Sequence, residues 1–350
     1  MKSIIAILAP FAPITGGMTT LANYLSNSFK KNGHEVIHQH LGSGFKGLFL
    51  FPLLYFQFIK VIKKSDIIHI ISASGNALWA KDLPAICISK YYKKKVILNF
   101  VGGRAIDDFS AWPLYKRLPF YLSDIVVVPS EVLKKAIKRN NINVIKIPHM
   151  VEVGNFKKIN KTVKINPPVL LIAKGIEKYS GHEKLIEIFS KIKEEIKNAE
   201  LLIAGSGSRE KDIKAKVEEL KVENVTFLGN VDHNKMPKIM ERSTILIHAT
   251  KYESFGISLV EGMASSIPVI AFNIGGIPEV VIDQKTGFLI PYNDKQLFIN
   301  KAIEILNNPI ILSKMSGEAE KHSQIFSPDL IYNSWNDLHK KLIKNYFKKD

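Results

Sequence analysis

Residues 245–270 read ILIHATKYESFGISLVEGMASSIPVI. The apolar opening, 245–249, has the length of a buried strand. It gives way to a loop carrying Glu253, Ser254, Phe255 and Gly256, where a helix is predicted to open with Glu261 inside it. In an open α/β sheet, ligands bind outside the carboxyl ends of the strands, and a helix N-terminus there offers N–H groups and positive potential to a phosphate. Gly256 leaves room for close backbone approach. Glu261 follows just over one turn later, where its carboxylate can accept hydrogen bonds from a ribose diol. Taken singly, Glu261 reads as a cap of its own helix and Glu253 as a solvated loop charge. Together at a strand end they read as a ligand site.

The same pattern extends outward in both directions. Apolar, β-branched runs predict strands at 169–173, 201–204, 225–228, 245–249, 269–271 and 288–290, with helical patterns that include 182–197 and 294–306. Toward the N-terminus, strands are predicted at 4–9, 36–39, 67–71, 96–100, 125–128 and 144–147, with helices such as 18–31 and 131–139 between them. Strands alternating with helices imply parallel sheets. From Pro148 to Pro168 the alternation lapses into the polar, proline-flanked PHMVEVGNFKKINKTVKINPP, which reads as a connector. The chain is therefore α/β, with domains at 1–150 and 169–327 joined by 151–168. Ile331, Trp335, Leu338, Leu342 and Tyr346 form the stripe of an amphipathic helix over about 328–350, expected to return to the first domain.

Composition sets bounds on this reading. With 350 residues, 46% of them hydrophobic, the chain can build two cores. Its one cysteine, Cys87 in PAICIS, lacks an internal disulfide partner, which points to a reducing compartment, and reads as a small buried hydrophobe. The opening MKSIIAILAPFAP is short for a secretory signal and is broken by Pro10 and Pro13, so a first buried strand explains it better. The apolar stretch Leu48 to Ile62 contains Pro52 and falls short of the ~20 residues needed to cross a bilayer. A cytoplasmic protein without a transmembrane segment is expected.

The formal charge of +17 is lopsided: residues 1–165 carry 24 Lys and Arg against 8 Asp and Glu, and the remainder 25 against 24. A basic half suits nucleic acid or an anionic membrane surface. No zinc-finger spacing, RNP-like motif or helix-turn-helix pattern accompanies it, so no nucleic-acid partner is expected, and solvated lysine accounts for much of the charge. Phe49, Phe51, Leu53, Leu54, Tyr55, Phe56, Phe58 and Ile59 make one segment apolar nearly all round, with Lys46, Lys60, Lys63 and Lys64 near its ends. It fits either a buried crossover helix or peripheral docking at the inner face of the cell membrane.

The stretch 245–270 resembles the Glu-x7-Glu signature of the family 4 retaining glycosyltransferases, which have the GT-B fold, with Glu253 and Glu261 as its two ends. Further matches run in the family's order along almost the whole chain: PITGGMTTLANYLSNSFKKNGHEV, SDIVVVPSEVLKKAI, LLIAGSGSREKDI, VTFLGNV and FNIGGIPEVVIDQKTGFLI. The resemblance implies two Rossmann-like domains whose parallel sheets face across a cleft. It implies an enzyme that moves a sugar from a nucleotide-sugar donor to a glycan or lipid-linked acceptor, in cell-surface polysaccharide or glycolipid synthesis. Glu261 would bind the donor ribose and Glu253 the transferred sugar, with backbone groups of Phe255, Gly256 and Ile257 on the diphosphate or sugar. Gly205 and Gly207 would pass near the nucleotide, Gly229 to Val231 would border the base, and Gly16 and Gly17 would line the cleft from the first domain.

Three positions depart from the family pattern. Many members have Arg and then Lys-Gly to neutralise the leaving diphosphate, whereas IAKGIEKYSGHEKL supplies Lys174 and then Ser180-Gly181. Lys174 keeps the charge but loses the fork of Arg, Ser180 keeps none, and Lys178 is the substitute within the loop. Val101 stands where many members have His, with Arg104 as the nearby polar residue. Asp107-Asp108 reads as a solvated pair, since GT-B enzymes generally need no metal. His34, His38 and His40 sit on or beside a strand, where their spacing makes no ligand face, so neither a metal nor a cofactor is expected. Two rival functions fit the same residues: a non-catalytic nucleotide-sugar-binding homologue, and a GT-B sugar-nucleotide epimerase.

Overall fold

A computed structural model of the protein describes residues 2–10, 16–40, 51–139, 141–156 and 166–347, the side chains of 51–55 and 345–347 excepted. The chain divides into two compact units, Met1–Val151 with Pro328–Asp350, and Glu152–Ser327. Of the expected connector, residues 157–165 lie outside the described residues.

The first unit is built on β1 (Ile4–Leu8), β2 (Glu35–Gln39), β3 (Ile67–Ser72), β4 (Lys95–Phe100), β5 (Ile125–Val128) and β6 (Val144–Lys146), in the sheet order β2-β1-β3-β4-β5-β6. All its pairings are parallel. Strands covered by helices on both faces are apolar along their whole length, as in IIHIIS of β3, every residue of which is buried. That run contains one polar ring, His69, whose Nε2 lies 2.9 Å from His339 Nε2 of the helix Pro328–Phe347. Ile331, Trp335 and Leu338 of that helix are buried, and Phe29 of the helix Gly17–Lys31 packs on Trp335 with ring centroids 6.1 Å apart. The apolar stripe thus returns to the first unit.

Two readings of this unit change. Cys87 is exposed: in the helix Leu83–Tyr91 the buried face is Ala85, Ile86 and Ser89, and residue 87 falls on the opposite side of the turn. In the helix Phe51–Lys64, Phe58 and Ile62 point into the core one turn apart, while Phe56 is exposed under Lys60 Nζ, 4.8 Å from its ring centroid. The described part of that segment therefore has one buried face. Lys46 and Phe49 lie outside the described residues.

The second unit carries β7 (Val169–Ala173), β8 (Glu200–Ala204), β9 (Val225–Gly229), β10 (Ile245–His248), β11 (Val269–Phe272) and β12 (Gly287–Ile290), ordered β12-β11-β10-β7-β8-β9 and parallel throughout. Its core joins β7, β8, β10 and β11 to the helices His182–Glu195 and Lys295–Asn307 through Leu185, Phe189, Phe298 and Ala302. The direction of winding reverses between β7 and β10. That is the topological switch point, where chains leaving neighbouring strands diverge and open a crevice.

Candidate active site

Lys174 follows β7 and Glu253 follows β10, so the two come from the strands that flank the switch point. Lys174 Nζ is 2.7 Å from Glu253 Oε2. The other oxygen of the carboxylate, Oε1, accepts from the backbone N–H of Ser254 at 3.1 Å and of Phe255 at 3.4 Å. With its side chain 11% exposed, Glu253 is an enclosed anion and not a solvated loop charge. Burial alone would raise its pKa. The Lys174 ammonium and then His248 outweigh that and hold the carboxyl well below the usual carboxylate range. His248, the last residue of β10, is 2% exposed and has Nε2 3.5 Å from the same Oε2.

Gly256 caps the helix Ile257–Ala264 in a left-handed conformation with φ of 96°, and a Cβ there would meet Leu259 Cδ1 at 2.7 Å. Glycine is thus required both for the turn and for the space. Phe255 beside it is buried against Phe326, ring centroids 5.4 Å apart, and Ile257 starts the helix half-buried. Glu261, 5% exposed, has its Oε1 2.8 Å from His233 Nε2, a residue outside its own helix. Burial lowers the His233 pKa, but the hydrogen bond and charge of Glu261, and then the charge of Glu152, raise it overall. On the other flank, Lys174 N–H donates to Ala204 C=O at 3.1 Å and Gly205 N–H to Gly229 C=O at 2.8 Å. Gly205 and Gly229 therefore border the strand end that presents Lys174, Gly207 follows Gly205 in the same loop, and Val231, half-buried, comes two residues after Gly229.

The loop after β7 separates the remaining candidates. Ser180 is buried, donates to Glu177 C=O at 2.7 Å and stands 2.7 Å from His182 Nδ1. Gly181, at φ of 81°, has no room for a Cβ because the Ala249 carbonyl occupies the space. Lys178 is exposed and lies over the Tyr179 ring at 5.3 Å. It lines a pocket of about 350 Å³ with Lys184, Arg209, Lys251 and Tyr292, a pocket that Lys174, Glu253 and Glu261 do not line. The structure thus groups Lys174 with Glu253 and places Lys178 in a different basic recess.

In the first unit, Gly16 caps the helix Gly17–Lys31 with φ of 138°, and among the described residues other than its chain neighbours no atom lies within 4 Å of a Cβ built on Gly16 or Gly17. Arg104 is exposed and pairs with Asp108 at 3.6 Å, while Asp108 accepts from the Trp112 indole N–H at 2.8 Å. Val101 N–H donates to Ser72 C=O. His34, His38 and His40 have separate partners, Tyr332 hydroxyl, Ser26 hydroxyl and Ala9 carbonyl. Among the described residues no group of three or more His, Cys, Asp or Glu is arranged to hold a metal. The residues that sequence reasoning missed are His233, His248 and His182. The polar His248 at the end of an otherwise apolar strand was the one local signal for any of them.

Residues 155–322 match the family described as Glycosyl transferases group 1. An uncharacterized 41.2 kDa protein in the cps region of Klebsiella pneumoniae is 25% identical over 335 residues, 85% of this chain and 88% of that one. The N-acetyl-alpha-D-glucosaminyl L-malate synthase of Bacillus anthracis is 24% identical over 347 residues, covering 88% of this chain and 89% of its own. Among solved structures, Anabaena Alr3699/HepE in complex with UDP and glucose has a TM-score of 0.79 at 15% identity, covering 97% of this chain and 100% of that one. The fold is of the GT-B class, with two Rossmann-like parallel α/β units.

Proposed function

Because residues 155–322 match the group 1 glycosyltransferase family, we propose that the chain transfers a sugar, with retention of configuration, from a nucleotide-sugar donor to a glycan or lipid-linked acceptor. Synthesis of cell-surface polysaccharide or glycolipid is the setting such an acceptor implies. The observation that carries the reading is the Lys174–Glu253 pair at the switch point of the second unit, 2.7 Å apart, one loop away from the helix opening at Gly256 and from Glu261.

In this reading the donor diphosphate lies against the backbone of Phe255, Gly256 and Ile257, where the helix N-terminus favours negative charge. The bond from the anomeric carbon to the diphosphate breaks, and the acceptor hydroxyl bonds to that carbon on the vacated face. The acceptor proton passes to a phosphate oxygen of the departing nucleoside diphosphate. Charge builds on the leaving group, so Lys174 contributes most in the transition state. Glu253, fixed by Lys174 and two amides, orients the transferred sugar, and Glu261 holds the ribose. Gly205, Gly207, Gly229 and Val231 border the nucleotide, Lys178 adds positive potential, and Gly16, Gly17 and Arg104 serve the acceptor side. Neutralisation by these groups requires no metal.

The test is release of nucleoside diphosphate from a panel of nucleotide sugars, UDP-sugars first, with and without chelator and acceptor, and the anomeric configuration of the product read by NMR. Transfer with retention that survives chelation is expected. An inverted product or loss of activity on chelation overturns the mechanism. Donor binding without turnover identifies the binding homologue, and conversion of donor without acceptor identifies the epimerase.

A further inference from the structure

We propose that His248 is the positioning residue for Glu253, holding its carboxylate in place when Lys174 turns to the leaving diphosphate. The inference rests on the donor site proposed above and deepens it.

The difficulty it resolves is geometric. Lys174 is the closest partner of Glu253 Oε2, at 2.7 Å, and is also the cation assigned to the diphosphate. A lysine ammonium has three donors on a flexible stem and can serve both, but any approach to a new anion lengthens the first contact. The enclosed carboxylate would then lose its main compensating charge, and an anion left without partners in such a place reorients or takes up a proton. Oε1 remains tied to the amides of Ser254 and Phe255. Oε2 needs a replacement.

Among the described residues, His248 is the imidazole that stands beside that oxygen. Its Nε2 is fully buried and forms no hydrogen bond of good geometry in this arrangement, yet it stands 3.5 Å from Oε2. Leu246 and Ile247 before it in β10 are fully buried apolar residues. A polar ring at the end of such a strand carries a desolvation cost unless its nitrogen acquires a partner. The groups facing it are Lys174, Glu253 and His182, the last with Nδ1 engaged by Ser180. Burial, and after it Lys174, lower the His248 pKa against the pull of Glu253. With a proton on Nε2 the ring donates a hydrogen bond to Oε2, and the strand fixes the ring where the lysine stem is flexible.

The experiment compares His248→Met with His248→Gln, side chains of similar shape of which only Gln keeps an N–H. The Met variant is expected to lose about 10- to 100-fold in kcat, the scale of one hydrogen bond to a charged group, with KM for the donor and Kd for UDP within about 3-fold of the original. The Gln variant is expected to recover most of kcat. Equal kcat in Met, Gln and unaltered protein, with only the melting temperature changed, overturns the proposal. A second readout needs no activity: in a Lys174→Ala background the Glu253 carboxyl, followed by carbon NMR, should titrate at higher pH with Met than with His or Gln at 248. An identical titration in all three overturns the proposal even if transfer is observed. Absence of UDP binding and of transfer in the unaltered protein instead removes the donor-site reading, while this titration still decides whether His248 holds Glu253. Should the Met variant not fold, Gln decides in the same background, where Glu253 must titrate as it does with His248.

Discussion

His233 Nε2 lies 2.8 Å from Glu261 Oε1, so the carboxylate proposed to hold a ribose already carries a protein hydrogen bond. The His233 pKa is raised, and the sign of its effect follows: the pairing stabilises the second unit fully below pH 6.5 and is lost as pH rises through the elevated value. The ring is partly open to water, so the effect is under ~1 kcal/mol. Denaturant unfolding at pH 6 and pH 9 should show this decline in the unaltered protein and a flatter response in His233→Gln.

Glu261→Gln is expected to weaken donor binding by about 10- to 150-fold, the equivalent of about 1.5 to 3 kcal/mol for a charge-assisted contact. Calorimetric titration with the nucleotide identified in the panel measures it. An unchanged Kd in a folded variant removes Glu261 from the ribose.

Lys174→Ala is expected to lower turnover by about 100-fold, more than it weakens ground-state donor binding, because the charge it meets develops as the bond breaks. Lys178→Ala, in the separate basic recess, should cost less. Steady-state kinetics of the two variants test the assignment: a pure rise in KM makes Lys174 an ordinary contact, and a worse Lys178 variant shifts the role to that residue.

The buried pair His69 and His339 should make the first unit acid-labile. Burial, and then the neighbouring imidazoles, hold His69 well below its ordinary pKa, and burial followed by His34 pushes His339 down to about 3. Below pH 6.5 the unfolded chain binds more protons than the folded one. Stability is therefore complete above that pH and declines as pH falls toward about 3, by about 1.4 kcal/mol for each unit of depression. Melting temperatures from pH 7.5 to 5 should fall, and His339→Gln should reduce the slope.

Lys60, Lys63 and Lys64 are exposed along the end of the helix Phe51–Lys64. If this face docks on an anionic membrane, changing all three to Gln removes about 3 kcal/mol, roughly 100-fold in vesicle affinity. Sedimentation with anionic and neutral vesicles at low and high salt measures it. Binding that ignores lipid charge, salt or the substitutions excludes electrostatic docking.

Parallel strands could be read from the sequence because burial on both faces makes them continuous apolar runs, and Ile125–Val128 and Val169–Ala173 fall where they are expected. Glu253, Phe255, Gly256 and Glu261 were visible because one short segment carries them all. Their partners were not. His233 precedes Glu261 by 28 residues and His69 meets His339 across 270, separations at which no local periodicity operates. Cys87 was misread because an apolar hexapeptide hides which side of a helix each residue takes. The loss of a cation at Ser180 was legible, but its hydrogen bonds to Glu177 and His182 depend on a loop conformation that composition does not encode.

The return of Pro328–Phe347 to the first unit bears on the order in which the protein is made. A ribosome releases Met1–Val151 first, yet Phe29 and His69 cannot be covered until Trp335 and His339 have emerged. The second unit, contiguous from Glu152 to Ser327, can finish folding while its predecessor still exposes an apolar and imidazole-lined surface. Newly made chains are therefore expected to need chaperone protection at that surface until Pro328–Phe347 has emerged. A stop codon near residue 327 should yield a well-folded second unit tethered to a protease-sensitive first one.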